Sequence, residues 1–264
     1  MSRPASDATP RRTAAATGLL GSLALLVGLG SLGDTPDPHD PSATMAEYFA
    51  NHRQEVLTSS ALTFVALTTL VVFVVALRTA LSPDRGRLTA DIAAAGGLGF
   101  LVLLAANQLA YTTLAWDSGY TDPGALRTIF VLTVMATVVQ GPACALLLAG
   151  TAACRGIALP PWYRWVSAIG ASTVAVAVLA SGQDGWVYAD VQQQVVLAVF
   201  PAWVLTTAGV LARGMGRGGS SRAGRPATGV AAHRTVGLTP HLHLVSATTD
   251  PAFLHHRQSI RSLT

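Results

Sequence analysis

Gln140 sits in the stretch VVQGPACA, in the middle of an apolar run covering residues 127–153. A carboxamide carries two donors and an acceptor that its own helix cannot fully satisfy. Two residues on, Pro142 removes a backbone N–H and frees the carbonyl near residue 138 for a neighbouring donor. Counting about 1.5 Å of rise per residue from the run ends sets other polar groups at a similar depth. They are Ser22, Thr68 and Thr69, Ser172 and Thr173, and Thr206 and Thr207. With Gln140 they make a candidate intramembrane polar site, while Asn107 and Gln108 come out nearer the run end, in a different layer. Gln140 is expected to face the bundle and to bond across helices. The Ser and Thr residues have the alternative of donating to the i−4 carbonyl of their own helix. Interhelical bonds in membranes average only about 0.6 kcal/mol, so such a site points to specificity or passage more than to stability.

Other chemistries leave traces that this chain lacks. None of the seven His falls within an apolar run, which removes the base of an intramembrane hydrolase and the axial ligand of a helix-bound haem. There is no HExxH and no P-loop. The runs hold no ionisable residue away from their ends, which disfavours proton- or sodium-coupled transport. Cys144 and Cys154 lie about 15 Å apart along one helix, too far for a disulfide. Asp117, Asp122, Asp184 and Asp190 could gather oxygens for a hard cation, but no D-x-D-x-D-G loop accompanies them. The expectation is therefore no catalytic residue, no cofactor and no metal site.

The elements positioning Gln140 follow from composition. Charged residues are 11% of 264, and the mean hydropathy is +0.46, whereas a water-soluble domain carries about 25% charge. Six runs approach the ~20 residues needed to cross a bilayer, at 14–33, 56–77, 92–115, 127–153, 164–181 and 193–212. The fold class read from them is all-α, a six-helix transmembrane bundle. All 17 basic residues are Arg. Fifteen of them fall on one side of the alternating topology, and only Arg53 and Arg127 on the other. Nine of the 13 acidic residues occupy the Arg-poor loops. The positive-inside rule then sets both termini in the cytoplasm of a bacterial inner membrane. Residues 1–13 read as a cytoplasmic N-terminus, and 14–33 as an uncleaved helix, since GSLGDTPD lacks an A-x-A site.

Between the first two runs, Thr44 and Glu47 match a capping box. Met45, Tyr48, Phe49 and His52 share one face, predicting an amphipathic helix over 44–54 on the outer surface, either a connector or a ligand-facing lid. Asp122-Pro123 reads as an N-cap and first helical residue. In IALPPWYRW, the prolines start the fifth helix and Trp162, Tyr163 and Trp165 are expected to anchor it at the headgroup layer. The pairs Ala93/Gly97, Ala95/Gly99 and Ser167/Ala171 have the spacing of close helix contacts, within the chain or between copies. Residues 213–264 form a basic tail carrying five His, expected to be disordered and able to touch anionic lipid, with no role for nucleic acid.

The stretch LP-x-W-x-x-W between an apolar fourth and a small-residue-rich fifth run, with MAEYFANHRQEV ahead of the second, resembles a family of six-helix bacterial integral membrane proteins. The resemblance covers about residues 14–212. That family, a domain of unknown function, has no established activity, so no catalytic residue is implied. Two function classes remain. One is a non-enzymatic membrane protein that binds a partner or maintains the envelope, with the bilayer, a membrane protein or a second copy as partner. The other is an uncoupled carrier or small-solute passage through the bundle.

Overall fold

The structure is a computed structural model that describes residues 8–33, 35–37, 39–82, 87–117, 122–154, 159–181 and 187–219. Among these residues there are seven helices and no strand: α1 (Ala8–Gly30), α2 (Ser42–Asn51), α3 (Arg53–Leu81), α4 (Arg87–Asp117), α5 (Pro123–Ala153), α6 (Pro161–Ser181) and α7 (Val187–Gly219). All but α2 contain a segment long and apolar enough to cross a membrane. The chain is thus an all-α, multi-pass membrane protein. Helix is the form such runs take, because in hydrocarbon every backbone N–H and C=O needs a partner within its own segment. Beyond Gly219, the tail lies outside the described residues, as do the loop residues 118–121 and 182–186.

The six long helices stand in a closed ring, in the order α1, α3, α4, α5, α6, α7 and back to α1, with α5 also touching α7 across the interior. Short connections make successive helices antiparallel. The end at which α1, α4 and α6 finish, and where α2 lies, is here termed the α2 end. α1 stops at Gly30, where the Ser31 hydroxyl donates to the Gly28 carbonyl. Gly33 then turns the chain in the left-handed region, at φ 61°.

Glycines set the closest approach. A methyl group on Gly96 would lie 2.5 Å from the backbone nitrogen of Leu147, and one on Gly150 2.7 Å from that of Ala93. α4 and α5 therefore meet backbone to backbone, the contact that small residues allow in lipid. Ala93 and Gly97 serve this packing inside the bundle. Ala95 is exposed, and Gly99 has only the Ala143 methyl near it, at 3.8 Å.

Three local expectations need correcting. α2 begins at Ser42 with Pro41 as its cap and no side-chain capping bond, so Thr44 and Glu47 form no capping box. Its apolar face does not rest in the lipid surface: Met45 and Phe49 are fully buried against Leu126 and Phe130 of α5 and Leu114 of α4. α5 supplies that site because its first turns rise beside α2. At the start of α6, Trp162 and Trp165 face outward, but Tyr163 is fully buried. Its hydroxyl pairs with Thr207 Oγ1 at 2.6 Å, which removes the reason for a tyrosine to seek the headgroups. Asp122 does cap α5, accepting from the backbone N–H groups of Gly124 and Ala125, with Pro123 at the first position.

Candidate functional site

A cavity of about 50 Å³ opens among α1, α4, α5 and α7 toward the α2 end. Its wall on α4 is Leu104, Asn107, Gln108 and Tyr111, residues that one helical face must bring together at i, i+3, i+4 and i+7. Thr137 and Gln140 line it from α5, and Gln193, Val196 and Leu197 from α7. Leu29 closes the α1 side, and Leu32 and exposed Thr35 form the mouth. One turn deeper than Leu104 and Val196, the buried rings of Phe100 and Phe200 meet at 4.4 Å between centroids, joining α4 to α7.

Hydrogen bonds hold this wall in place. Gln108 Nε2 donates to Ser60 Oγ of α3 at 2.7 Å. Asn107 Nδ2 donates to Thr137 Oγ1 at 3.2 Å, and that hydroxyl donates onward to the Thr133 carbonyl. Two atoms are left over. Asn107 Oδ1 and Gln140 Nε2 are buried and have no hydrogen-bond partner among the described residues. One is an acceptor and the other a donor, and an unmet buried polar group of this kind costs about 1–3 kcal/mol. None of the described lining residues is Asp, Glu, Arg, Lys or His.

The carbonyl freed by Pro142 finds its donor elsewhere. Gln192 Nε2 donates to the Val138 carbonyl at 2.7 Å, and Gln192 Oε1 accepts from Ser181 Oγ at 2.7 Å. Gly141 makes room for this amide, since a methyl group there would lie 2.6 Å from Gln192 Nε2. The bond across helices expected of Gln140 is thus made by Gln192, joining α5, α6 and α7.

Of the eight residues singled out by depth, only Gln140 lines the cavity. Ser22 is fully buried on α1 with its hydroxyl unpaired. Thr68, Thr69, Thr173 and Thr206 donate to the carbonyls of Phe64, Val65, Ile169 and Ala202 of their own helices. Ser172 is exposed. Thr207 donates to the Trp203 carbonyl and partners Tyr163, far along α7 from the cavity. Asn107 and Gln108 lie nearer the α2 end than Gln140, as counting set them, and the cavity spans both levels. Asn107 pairs with Thr137, so Leu104 stands level with Gln140, only one turn from Gln108. Gln192 and Gln193 stand at the edge of the sixth apolar run, 193–212, where polar residues are expected anyway, although three consecutive glutamines there are themselves a signal.

α2 braces the segment that forms the mouth. The Tyr48 hydroxyl donates to the Leu32 carbonyl at 2.8 Å, pinning the segment after α1. Phe49 packs against Tyr111, with ring centroids 6.1 Å apart. Outside the bundle, the His39 backbone N–H and ring hold the Asp37 carboxyl below its ordinary range. Asp117 and Asp122 are exposed, while Asp184 and the side chain of Asp190 lie outside the described residues. Among the described residues no three His, Cys, Asp or Glu side chains converge as metal ligands. Cys144 and Cys154 are buried free thiols. Comparison with protein families, with curated proteins and with solved structures found no match for this chain.

Proposed function

We propose that this is a non-enzymatic protein of the bacterial inner membrane that binds a small uncharged polar solute inside its helix bundle. In this reading both termini are cytoplasmic and the α2 end faces the periplasm, as the arginine asymmetry favours. The observation that carries it is the cavity itself, which opens toward the α2 end and whose described lining sets Asn107, Gln108, Thr137, Gln140 and Gln193 beside Leu29, Leu104, Val196 and Leu197. Binding is favoured over passage, since one turn below Leu104 and Val196 the interior is filled by the buried, mutually packed rings of Phe100 and Phe200. It is favoured over a role in holding a protein partner because the polar side chains gathered here line an interior cavity. The resemblance to six-helix bacterial membrane proteins is consistent with this reading and assigns it no reaction.

Site-directed labelling tests it. Thr35→Cys and Gln193→Cys, in a Cys144→Ala/Cys154→Ala background, should react with an impermeant charged thiol reagent in intact spheroplasts. Val176→Cys, on an exposed apolar position of α6, should not. Silence at Gln193→Cys in both spheroplasts and inverted vesicles would sink the cavity reading, and reaction only in inverted vesicles would reverse the orientation.

A further inference from the structure

The end of the bundle opposite α2 carries arginines, and only some of them are engaged. Arg78 of α3 is paired with Asp91 of α4, Nε to Oδ1 at 2.7 Å. Arg164 of α6 donates its Nε–H to the Ala152 carbonyl of α5 at 3.1 Å. Asp91 is the sole acidic residue at this end among the described residues, and Arg78 holds it. Arg11 and Arg12 of α1 and Arg213 of α7 make no ion pair among the described residues. These three stand on neighbouring helices, since α1 and α7 are adjacent in the ring. A methyl group on Gly18 would lie 3.3 Å from Val204 Cγ1, which sets those two residues level. Counted from that contact at about 1.5 Å per residue, Arg12 lies roughly 9 Å and Arg213 roughly 13–14 Å toward the same end. The difference is about one helical turn, which long arginine stems span. Arg12 and Arg213 are exposed and Arg11 is half-buried.

The surface beside these arginines is apolar. Ala16, Leu19, Leu20, Leu23 and Val27 follow Arg12 at i+4, i+7, i+8, i+11 and i+15, on one exposed face of α1. On α7, Arg213 heads a face with exposed Ala202 and Gly209, where a methyl group on Gly209 would meet nothing within 4 Å. We propose that the α1–α7 pair binds the headgroup of an anionic phospholipid. Arg12 and Arg213 hold its phosphate, with Arg11 adding positive charge behind them, and an acyl chain lies along Leu19, Leu20 and Leu23. Guanidinium groups match phosphate oxygens with paired, charge-assisted hydrogen bonds, and basic surfaces between spanning helices attract anionic headgroups. A zwitterionic headgroup carries its own cation to the same place and gains less. The retention of arginine on one side of a membrane accounts for the side, but it does not require three unpaired arginines on a single helix pair. This contact is separate from the interior cavity, and its failure would leave the solute-binding reading untouched.

The test is native mass spectrometry of the full chain in detergent, titrated with dioleoyl phosphatidylglycerol or with dioleoyl phosphatidylcholine. The expected result is a saturable phosphatidylglycerol adduct, about tenfold or more tighter than that of phosphatidylcholine. Arg12→Gln/Arg213→Gln should remove the preference. Arg87→Gln, on exposed α4 surface, and Arg222→Gln/Arg225→Gln in the tail should keep it. Equal binding of the two lipids by the wild type would overturn the proposal, as would a preference that survives Arg12→Gln/Arg213→Gln. Loss of the preference with Arg87→Gln would make it a property of net charge, and loss with Arg222→Gln/Arg225→Gln would move it to the tail; either result refutes the α1–α7 site. Displacement of the lipid by equimolar inorganic phosphate would show an anion site that does not read the acyl chain, and would also refute it. The comparison of lipids on the wild type decides the matter even if a variant fails to fold.

Discussion

Gln140 and Gln192 are the same residue type, each nearly fully buried, yet replacement by leucine should shift stability in opposite directions. Gln192→Leu deletes the 2.7 Å bonds to the Val138 carbonyl and from Ser181 Oγ. Ser181 keeps its bond to the Val178 carbonyl. Val138 has no such fallback, because Pro142 cannot donate to it. An orphaned buried carbonyl costs about 1–3 kcal/mol. An average interhelical bond alone would be worth only ~0.6 kcal/mol, so the excess measures the orphaned group. Gln140→Leu instead removes a donor that has no partner and should raise stability, by at most about 1–3 kcal/mol and by less where water occupies the cavity. Reversible unfolding in mixed micelles, titrated with SDS and followed by tryptophan fluorescence, gives both midpoints. Destabilisation of similar size at both sites would show that Gln140 is paired. A Gln192→Leu value within about 0.5 kcal/mol of wild type, the range of an ordinary surface change, would show that Val138 is satisfied some other way.

Gly96→Ala and Gly150→Ala each force a methyl group to within 3 Å of facing backbone. Each should cost at least about 1–3 kcal/mol, read as loss of monodisperse protein in detergent, whereas Gly99→Ala should behave as wild type. Asp122→Ala removes the acceptor for two N–H groups at the start of α5 and should cost about 0.5–2 kcal/mol, with faster hydrogen exchange at Gly124 and Ala125 as its signature. Asp37 should titrate below 3.8 by NMR. Because its folded value is lowered, its contribution to the turn is present at neutral pH and lost as the pH falls through that lowered midpoint. A reporter fused after Arg213 should be active only in its cytoplasmic form, and activity of a periplasmic reporter there would overturn the proposed topology.

The number of spanning helices is legible in the sequence because hydrocarbon acts on each run separately: length and apolarity decide, and neighbours need not be known. Local devices are legible for the same reason, as with Asp122-Pro123 at the start of α5. Pro142 was also readable as a helix residue whose i−4 carbonyl would seek an outside donor. Which donor arrives was not. Gln192 lies 54 positions from Val138, and only the packing of α7 against α5, with Gly141 leaving space, brings them together. The polar layer shows the same limit. Depth counted along isolated helices grouped Gln140 with Thr68, Ser172 and Thr207, but α5 starts higher than its neighbours to hold α2, which shifts its register against α4. That offset is a property of the pair of helices, and it sets Gln140 level with Leu104, within one turn of Asn107 and Gln108. Tyr163 likewise reads as an interfacial anchor until Thr207, on a helix far along the chain, offers its hydroxyl a buried partner. The apolar runs alone specify six spanning helices; contact between helices decides which polar side chains share a cavity, because register and burial are set by pairs of segments and not by any one of them.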